Sequence, residues 1–518
     1  MFQCIFISSR SLTCELVNHD IYYAKHAYDV FVDGKKVLHQ IKTNVFSLYD
    51  LSPETSYEIR VMEHREHIKT LSETASLNVI DFGAKGDGLN DDTDSIQHAI
   101  FACPQGGRVL IPKGEYLVKP LFLKSHQTIE LTEGAKLLGH TDRMVYPILP
   151  AHVQRRDGSM LELSSWEGVP ANTFASTITG IEVEDVKIIG QGIIDEQAHL
   201  SDWWVDHKIM RGGAFRPKGI FLSNSKHISL QGITVTNTPS WNIHPYFSSY
   251  ISIIDVKLMS PKDSPNTDGC NPESCDHVDV IGVHFSVGDD CIAIKSGKFE
   301  MGMKYRKPTS MMTVRNCMMA FGHGAVVLGS EMSGGIQDLT VQQCYFKQTD
   351  RGLRIKTRRG RGESAIIDGI TFEDIYMDDV LTPLVMNMYY YCDDDGKTEY
   401  VYSKEMKYPV DHRTPYLGSF TFKNIVCHNV HVAAGFFYGL PEQPIKRIEL
   451  NHITFNYAKH PQEGIPAMMS YLDPMKGEGL HFRYVNEVIL NDVTINNPVG
   501  ERIVTQNVLK IIETSEQN

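Results

Sequence analysis

The chain has 518 residues, 50 Lys+Arg against 63 Asp+Glu, a formal charge of -13, and 42% hydrophobic and 22% charged residues. That composition is globular rather than disordered. The acidic balance excludes a non-specific nucleic-acid binder, which needs a basic domain, and the length calls for two domains or one elongated solenoid.

No stretch reaches the roughly 18 apolar residues of a membrane span. The opening MFQCIFISSRSLTCELV has no basic start, no long apolar core and no small-residue cleavage site, so it does not read as an export signal. As it stands the sequence implies a cytoplasmic protein, or a periplasmic or secreted one if a signal has been trimmed. None of the ten cysteines forms a CxxC pair, which argues for buried thiols rather than a zinc ribbon. Oligomeric state is not legible.

Residues 1–74 read as a small β-module. YDVFVDGKKVLHQI and NVFSLYDLSPETSYEIRVME alternate with strand period, and Asp33-Gly34-Lys35 marks a hairpin turn. Leu51, Pro53, Thr55 and Tyr57 lead into Ile59 and Val61 at a spacing that resembles the corner of a fibronectin type III sandwich. In that fold the tyrosine hydroxyl ties down the corner. Nothing in the module looks catalytic, and an accessory domain beside the main one is expected.

Residues 75–518 repeat. Short β-rich lines recur, with an apolar residue of the first strand at Leu230, Ile253, Val280, Val314, Val341 and Phe372, in steps of 23, 27, 34, 27 and 31 residues. Such a period implies coils that cannot bury their own apolar faces but can do so when stacked, most simply as a right-handed parallel β-helix. Cys317 and Cys344 fall at equivalent points and are expected to stack inside. The helical stretch TDSIQHAIFAC is expected to cap the open end.

Four successive coils carry unusual polar groups after the same strand: Asn266-Thr267-Asp268, Asp289-Asp290, Gly322-His323-Gly324 and Arg354-Ile355-Lys356. Each alone is weak, since an Asp pair is commonly a turn and a lone His commonly structural. Stacking brings them within about 5–15 Å of one another. Three carboxylates that close cannot all ionise freely, so at least one keeps a proton near neutral pH. Glycoside hydrolysis needs that combination of an acid and a carboxylate base or nucleophile. Arg354 and Lys356, two apart on a strand, point to one side and suit a carboxylate ligand.

With these residues the chain from Asn78 to about residue 500 resembles glycoside hydrolase family 28, the polygalacturonases. NVIDFGAKGDGLNDDTDSIQHAI resembles the start of pectin-active β-helix proteins, and the four motifs match the family's in order. The resemblance implies hydrolysis of α-1,4-galacturonosidic bonds in polygalacturonate or oligogalacturonides, with inversion and without metal or cofactor. It implies Asp289 as general acid, Asp268 and Asp290 as the pair that activates water, and His323 as support for the acid. Arg354 and Lys356 would hold the galacturonate carboxylate, and Asn266 and Gly324 would line the cleft with Trp241 and His244. The long segment around WEGVPANTF, the DWWVDHKIMRGG stretch and the insertion Tyr389 to Tyr416 resemble loops that close one end of the groove in bacterial exo-acting members. Trp203, Trp204 and Trp241 are read either as sugar platforms or as loop packing.

Three other readings compete. An endo-acting enzyme, or one acting on rhamnogalacturonan or xylogalacturonan, shares the scaffold. A pectate lyase reads the three aspartates as a calcium site, which the neighbouring cations oppose. A non-catalytic carbohydrate-binding solenoid leaves the carboxylates without a role. The run RGLRIKTRRGRG divides: Arg354 and Lys356 face the cleft, and Arg358, Arg359 and Arg361 are expected to rim it.

Overall fold

The computed structural model describes residues 1–392 and 394–514. The MFQCIFISSRSLTCELV opening is structural. Its strands β1 (Phe2–Ile7) and β2 (Leu12–Leu16) pair with β5 (Val45–Leu48) in one antiparallel sheet. A second sheet has the order β4 (Lys35–Thr43), β3 (Tyr23–Val32), β6 (Ser56–Val61), β7 (His64–Lys69). Leu12, Cys14, Val30, Phe46 and Ile59 fill the space between them. The β3–β4 turn is the two residues Asp33-Gly34, both at positive φ (48° and 78°), the conformation a tight hairpin requires. Tyr57 Oη accepts from the Ser52 amide at 2.8 Å, so the expected tyrosine tie is present.

From Ser76 onward the chain winds into a parallel β-helix. Each coil contributes a strand to a first face, a short strand to a second and another to a third. The six repeat residues stack in one column: Leu230 on Ile253, then Val280, Val314, Val341 and Phe372. Irregular steps in sequence are compatible with this column because insertions leave as loops at the corners. Cys317 and Cys344 are buried on adjacent coils. Helix α1 (Thr93–Ala102) inserts Ile96, Ala99 and Ile100 into the core at the first coils, covering edges that would otherwise pair with another chain. All ten cysteines are thiols, and no described helix is long and apolar enough to cross a membrane.

The module docks on the corner between the first and second faces. Glu15 accepts from Arg315 Nε and Nη2 at 2.7 and 2.8 Å and from Asn316 Nδ2 at 2.7 Å. Ser11 donates to Gln231 at 3.0 Å, and Gln343 donates to the Asn18 carbonyl at 2.9 Å. Successive coil corners therefore supply the module's partners. The first three polar motifs lie at a different corner, between the second and third faces, and Arg354-Ile355-Lys356 lies on the third-face strand Arg351–Lys356 that follows it.

Candidate active site

The first three motifs stack coil on coil through their backbones, but the fourth does not fall at the expected equivalent point: Arg354 pairs in register with Val327 and Lys356 with Gly329, three residues farther along the coil. The Asp268 carbonyl accepts from Asn242, the Asp290 carbonyl from Gly269, the Gly324 carbonyl from Cys291, and the Arg351 carbonyl from Ala325, at 2.8–3.0 Å. This fixes which side chains meet. Oxygens of Asp268, Asp289 and Asp290 all lie within 4.8 Å of one another. His323 Nδ1 is 3.2 Å from Asp289 Oδ1, and Asn266 Nδ2 is 3.5 Å from Oδ2. Lys356 donates to Asp290 at 2.8 Å and Arg354 at 3.4 Å. Asn271 donates to Asp268 at 2.9 Å.

Glycine flanks the histidine because the coils approach closely. A Cβ at Gly322 would lie 2.6 Å from the Asp289 carbonyl oxygen, and one at Gly324 would lie 2.4 Å from Val327 Cγ2 and 3.4 Å from Asp290 Oδ1. A side chain at Gly322 would push the preceding coil away, and one at Gly324 would strike Val327 of its own coil and crowd the Asp290 carboxylate.

These groups line a cleft of about 370 Å³. The segment before the motifs contributes Glu167 and Lys208 to its wall, and the insertion contributes Tyr390, Tyr391 and Cys392. The cleft thus has loops on two sides as well as a sheet for a floor.

Residues 107–405 match the family described as Glycosyl hydrolases family 28. The chain belongs to that family. It is 31% identical over 412 residues to a probable polygalacturonase of Vitis vinifera, covering 77% of this chain and 78% of that one. It is 28% identical over 403 residues to an exo-poly-alpha-D-galacturonosidase of Dickeya chrysanthemi, covering 69% of this chain and 64% of that one. A family 28 exopolygalacturonase of Yersinia enterocolitica has the same fold, with a TM-score of 0.72 at 20% identity over 98% of each chain.

In this family 28 glycoside hydrolase the electrostatics of the cleft follow from burial and charge. Burial first, then the Asp289 charge, pushes the Asp268 carboxyl up to about 8. Burial opposes ionisation of Asp289 too, but the His323 hydrogen bond and charge, with Lys356 and Arg354, bring it down to about 2. His323, bonded to Asp289 and opposed by burial, rises to about 9. The carboxylates therefore retain a proton near neutral pH, as like-charge crowding requires. In the free cleft that proton rests on Asp268 rather than Asp289, because the imidazolium favours ionised Asp289.

Two candidate contacts turn out differently. His244 is fully buried, shares a 3.0 Å hydrogen bond with Glu273, and lies outside the cleft lining. It packs edge-on beneath Trp241 at 4.7 Å. Trp241 does reach the cleft, but it is 3% exposed and stacks parallel to Trp166 at 5.9 Å. Trp203 is buried with Tyr146 and Phe174 in a loop cluster, and half-buried Trp204 donates to the Thr238 carbonyl at 3.1 Å. The arginine rim is also corrected. Arg359 is buried and forked onto Glu442 at 2.5 and 2.9 Å, holding the insertion down, and Arg358 and Arg361 are buried as well. Arg351 donates to the Ile465 and Pro466 carbonyls at 2.5 and 3.2 Å.

Sequence reasoning missed two cations. Lys295 pairs with Glu331 at 2.9 Å, both buried, and its charge acts on Asp268. Arg216 donates to Asn266 Oδ1 at 2.6 Å and to the Pro239 and Pro265 carbonyls at 2.6 and 3.0 Å. Lys295 immediately follows the third-face strand Ile292–Ile294, in the coil of Asp289-Asp290, and that position was a usable signal. Nothing around Arg216 marked it.

Proposed function

We propose that this protein hydrolyses α-1,4-galacturonosidic bonds of polygalacturonate or oligogalacturonides, acting from a chain end. The observation that carries the reading is the buried Arg354–Lys356 pair on one side of a proton-retaining cluster of three aspartates. A guanidinium and an ammonium two residues apart suit the carboxylate of a sugar acid. Asp289, aided by His323, protonates the leaving oxygen, and Asp268 and Asp290 orient and deprotonate water. For this the cluster's proton passes to Asp289 when substrate enters. The loops carrying Glu167, Lys208 and Tyr390 to Cys392 narrow the cleft and support exo action over an open through-groove.

A cation site among the aspartates is disfavoured by the donors themselves. Asp290 is already paired with Lys356, and Arg354, Lys295 and His323 are adjacent. This supports hydrolysis over calcium-dependent elimination.

Inversion is the course the family resemblance implies. Retention is a second reading, favoured by carboxylate oxygens within 4.8 Å, since retaining pairs are usually the closer ones. Proton NMR of the first anomer formed separates the two. The early products on polygalacturonate test the whole proposal. Monomer or dimer alone supports exo hydrolysis, a ladder of oligomers rejects exo action, and an unsaturated product absorbing in the near ultraviolet rejects hydrolysis.

A further inference from the structure

The cation pair of the cleft has a counterpart farther along the same face. Register carries Arg354 through Val385 and Phe436 to His481, and Lys356 through Asn387 and Tyr438 to Arg483. His481 and Arg483 thus form a second pair two residues apart, in the same two columns, three rungs or about 14 Å beyond the first. Both are buried at the edge of a separate cavity of about 500 Å³.

What Arg483 already holds reports the chemistry of that cavity. Glu405, a 70% exposed side chain on the insertion, pairs with Arg483 through one oxygen and accepts from the Tyr484 hydroxyl at 3.1 Å through the other. Arg483 Nε has no hydrogen-bond partner among the described residues. Tyr438 lies beside the guanidinium, 5.7 Å from ring centre to Cζ, and stacks on Phe436 at 3.9 Å. Tyr471 is 79% exposed at the rim. Asp473, Glu478 and Glu501 also line the cavity, and Glu478 sits 3.5 Å from His481. These acids leave the side of Arg483 and Lys404 as the entry for a carboxylate. One loop walls both cavities, with Met468 facing the catalytic cleft and Tyr471 to Met475 the second.

We propose that this second cavity is a distal carboxylate subsite that takes a galacturonate unit of a long substrate chain, with Glu405 as its displaceable internal occupant. The inference rests on the galacturonan reading above. A chain that runs along the third face from the cleft toward the later coils passes the walls of Tyr390 to Cys392 and Met468 and then meets Arg483. From the coil of Asp290 to Arg483 is five rungs, about 24 Å, so a trimer spanning the cleaved bond does not reach it.

The test compares kcat/KM for polygalacturonate and for trigalacturonate in the full-length protein, Arg483→Gln and Glu405→Gln. Arg483→Gln is expected to lower the polymer-to-trimer ratio about tenfold through KM, and Glu405→Gln to raise it about twofold or more, because a charged hydrogen bond is lost in one and a competitor removed in the other. A ratio that both variants leave unmoved, or move in the same direction, overturns the subsite while leaving the proposed activity intact. A wild-type protein that cleaves neither substrate overturns both.

Discussion

Lys356 reaches back across 66 residues of sequence to place its ammonium 2.8 Å from Asp290. The pair proposed to hold a substrate carboxylate therefore already holds one belonging to the protein. Lys356→Met removes a charge from both. We expect kcat/KM on trigalacturonate to fall about 10²-fold or more, the usual scale for truncating one partner of a buried, hydrogen-bonded ion pair. Steady-state kinetics at saturating and limiting substrate check this, with KM and kcat both affected.

Asp289→Asn tests the acid. The expected loss in kcat is about 10²–10⁴-fold, with oligogalacturonide binding retained in calorimetry. The substitution also removes the charge that raises His323. The histidine pKa, read by NMR, is therefore expected to fall from about 9 toward its ordinary value. A variant that keeps wild-type kcat removes Asp289 from the mechanism.

The pH dependence follows from three groups. Asp268 stays protonated in the fold from its ordinary 3.8 up to about 8, and His323 from 6.5 up to about 9. In those windows the folded protein binds more protons than the unfolded chain, so stability falls as pH rises. The His323 contribution is whole below 6.5 and gone above about 9. Asp289 acts oppositely: its contribution is present above 3.8 and lost as pH falls through about 2. Urea midpoints are expected to decline between pH 6.5 and 9, less steeply in His323→Asn. The shared carboxyl proton also sets an alkaline limb of kcat/KM near pH 8, and activity that persists undiminished well above it contradicts this assignment.

Module docking rests heavily on Glu15. Glu15→Ala leaves Arg315 and Asn316 without their carboxylate partner. A loss of about 3 kcal/mol is expected from breaking a largely buried pair, measured by urea denaturation. The module is expected to detach from the coil corners at Gln231, Arg315 and Gln343, whereas trimer cleavage at low denaturant is expected to persist because the cleft lies at another corner of those coils.

Much of the architecture was legible. The column from Leu230 to Phe372 was readable because apolar residues at the same point of each coil must face inward. The tyrosine tie of Tyr57 was readable because a corner of fixed geometry needs its residues at fixed spacing. The first three motifs were readable because coil stacking converts a recurring sequence position into spatial adjacency, whereas Arg354 and Lys356 sit three residues beyond that position and meet the aspartates through their long side chains. The cleft wall was not. His244 and Arg359 carry polar tips that a sequence reader assigns to a ligand, yet Glu273 takes the Nε2 of one and Glu442 the guanidinium of the other inside the protein. Glu442 lies 83 residues from Arg359, a separation no repeat period encodes, and Glu273, one coil and 29 residues from His244, belongs to none of the four motifs.

The sequence by itself determined the coil period, the stacked acidic and basic motifs and the family they resemble, because these depend on short-range patterning and a repeat that the backbone must obey. The tertiary structure decided the protonation order within the aspartates, the partners of the buried arginines, and the loops that narrow the cleft. Each of those depends on desolvation and on charges brought together from successive coils and the loops over them, quantities that exist only once the chain has folded.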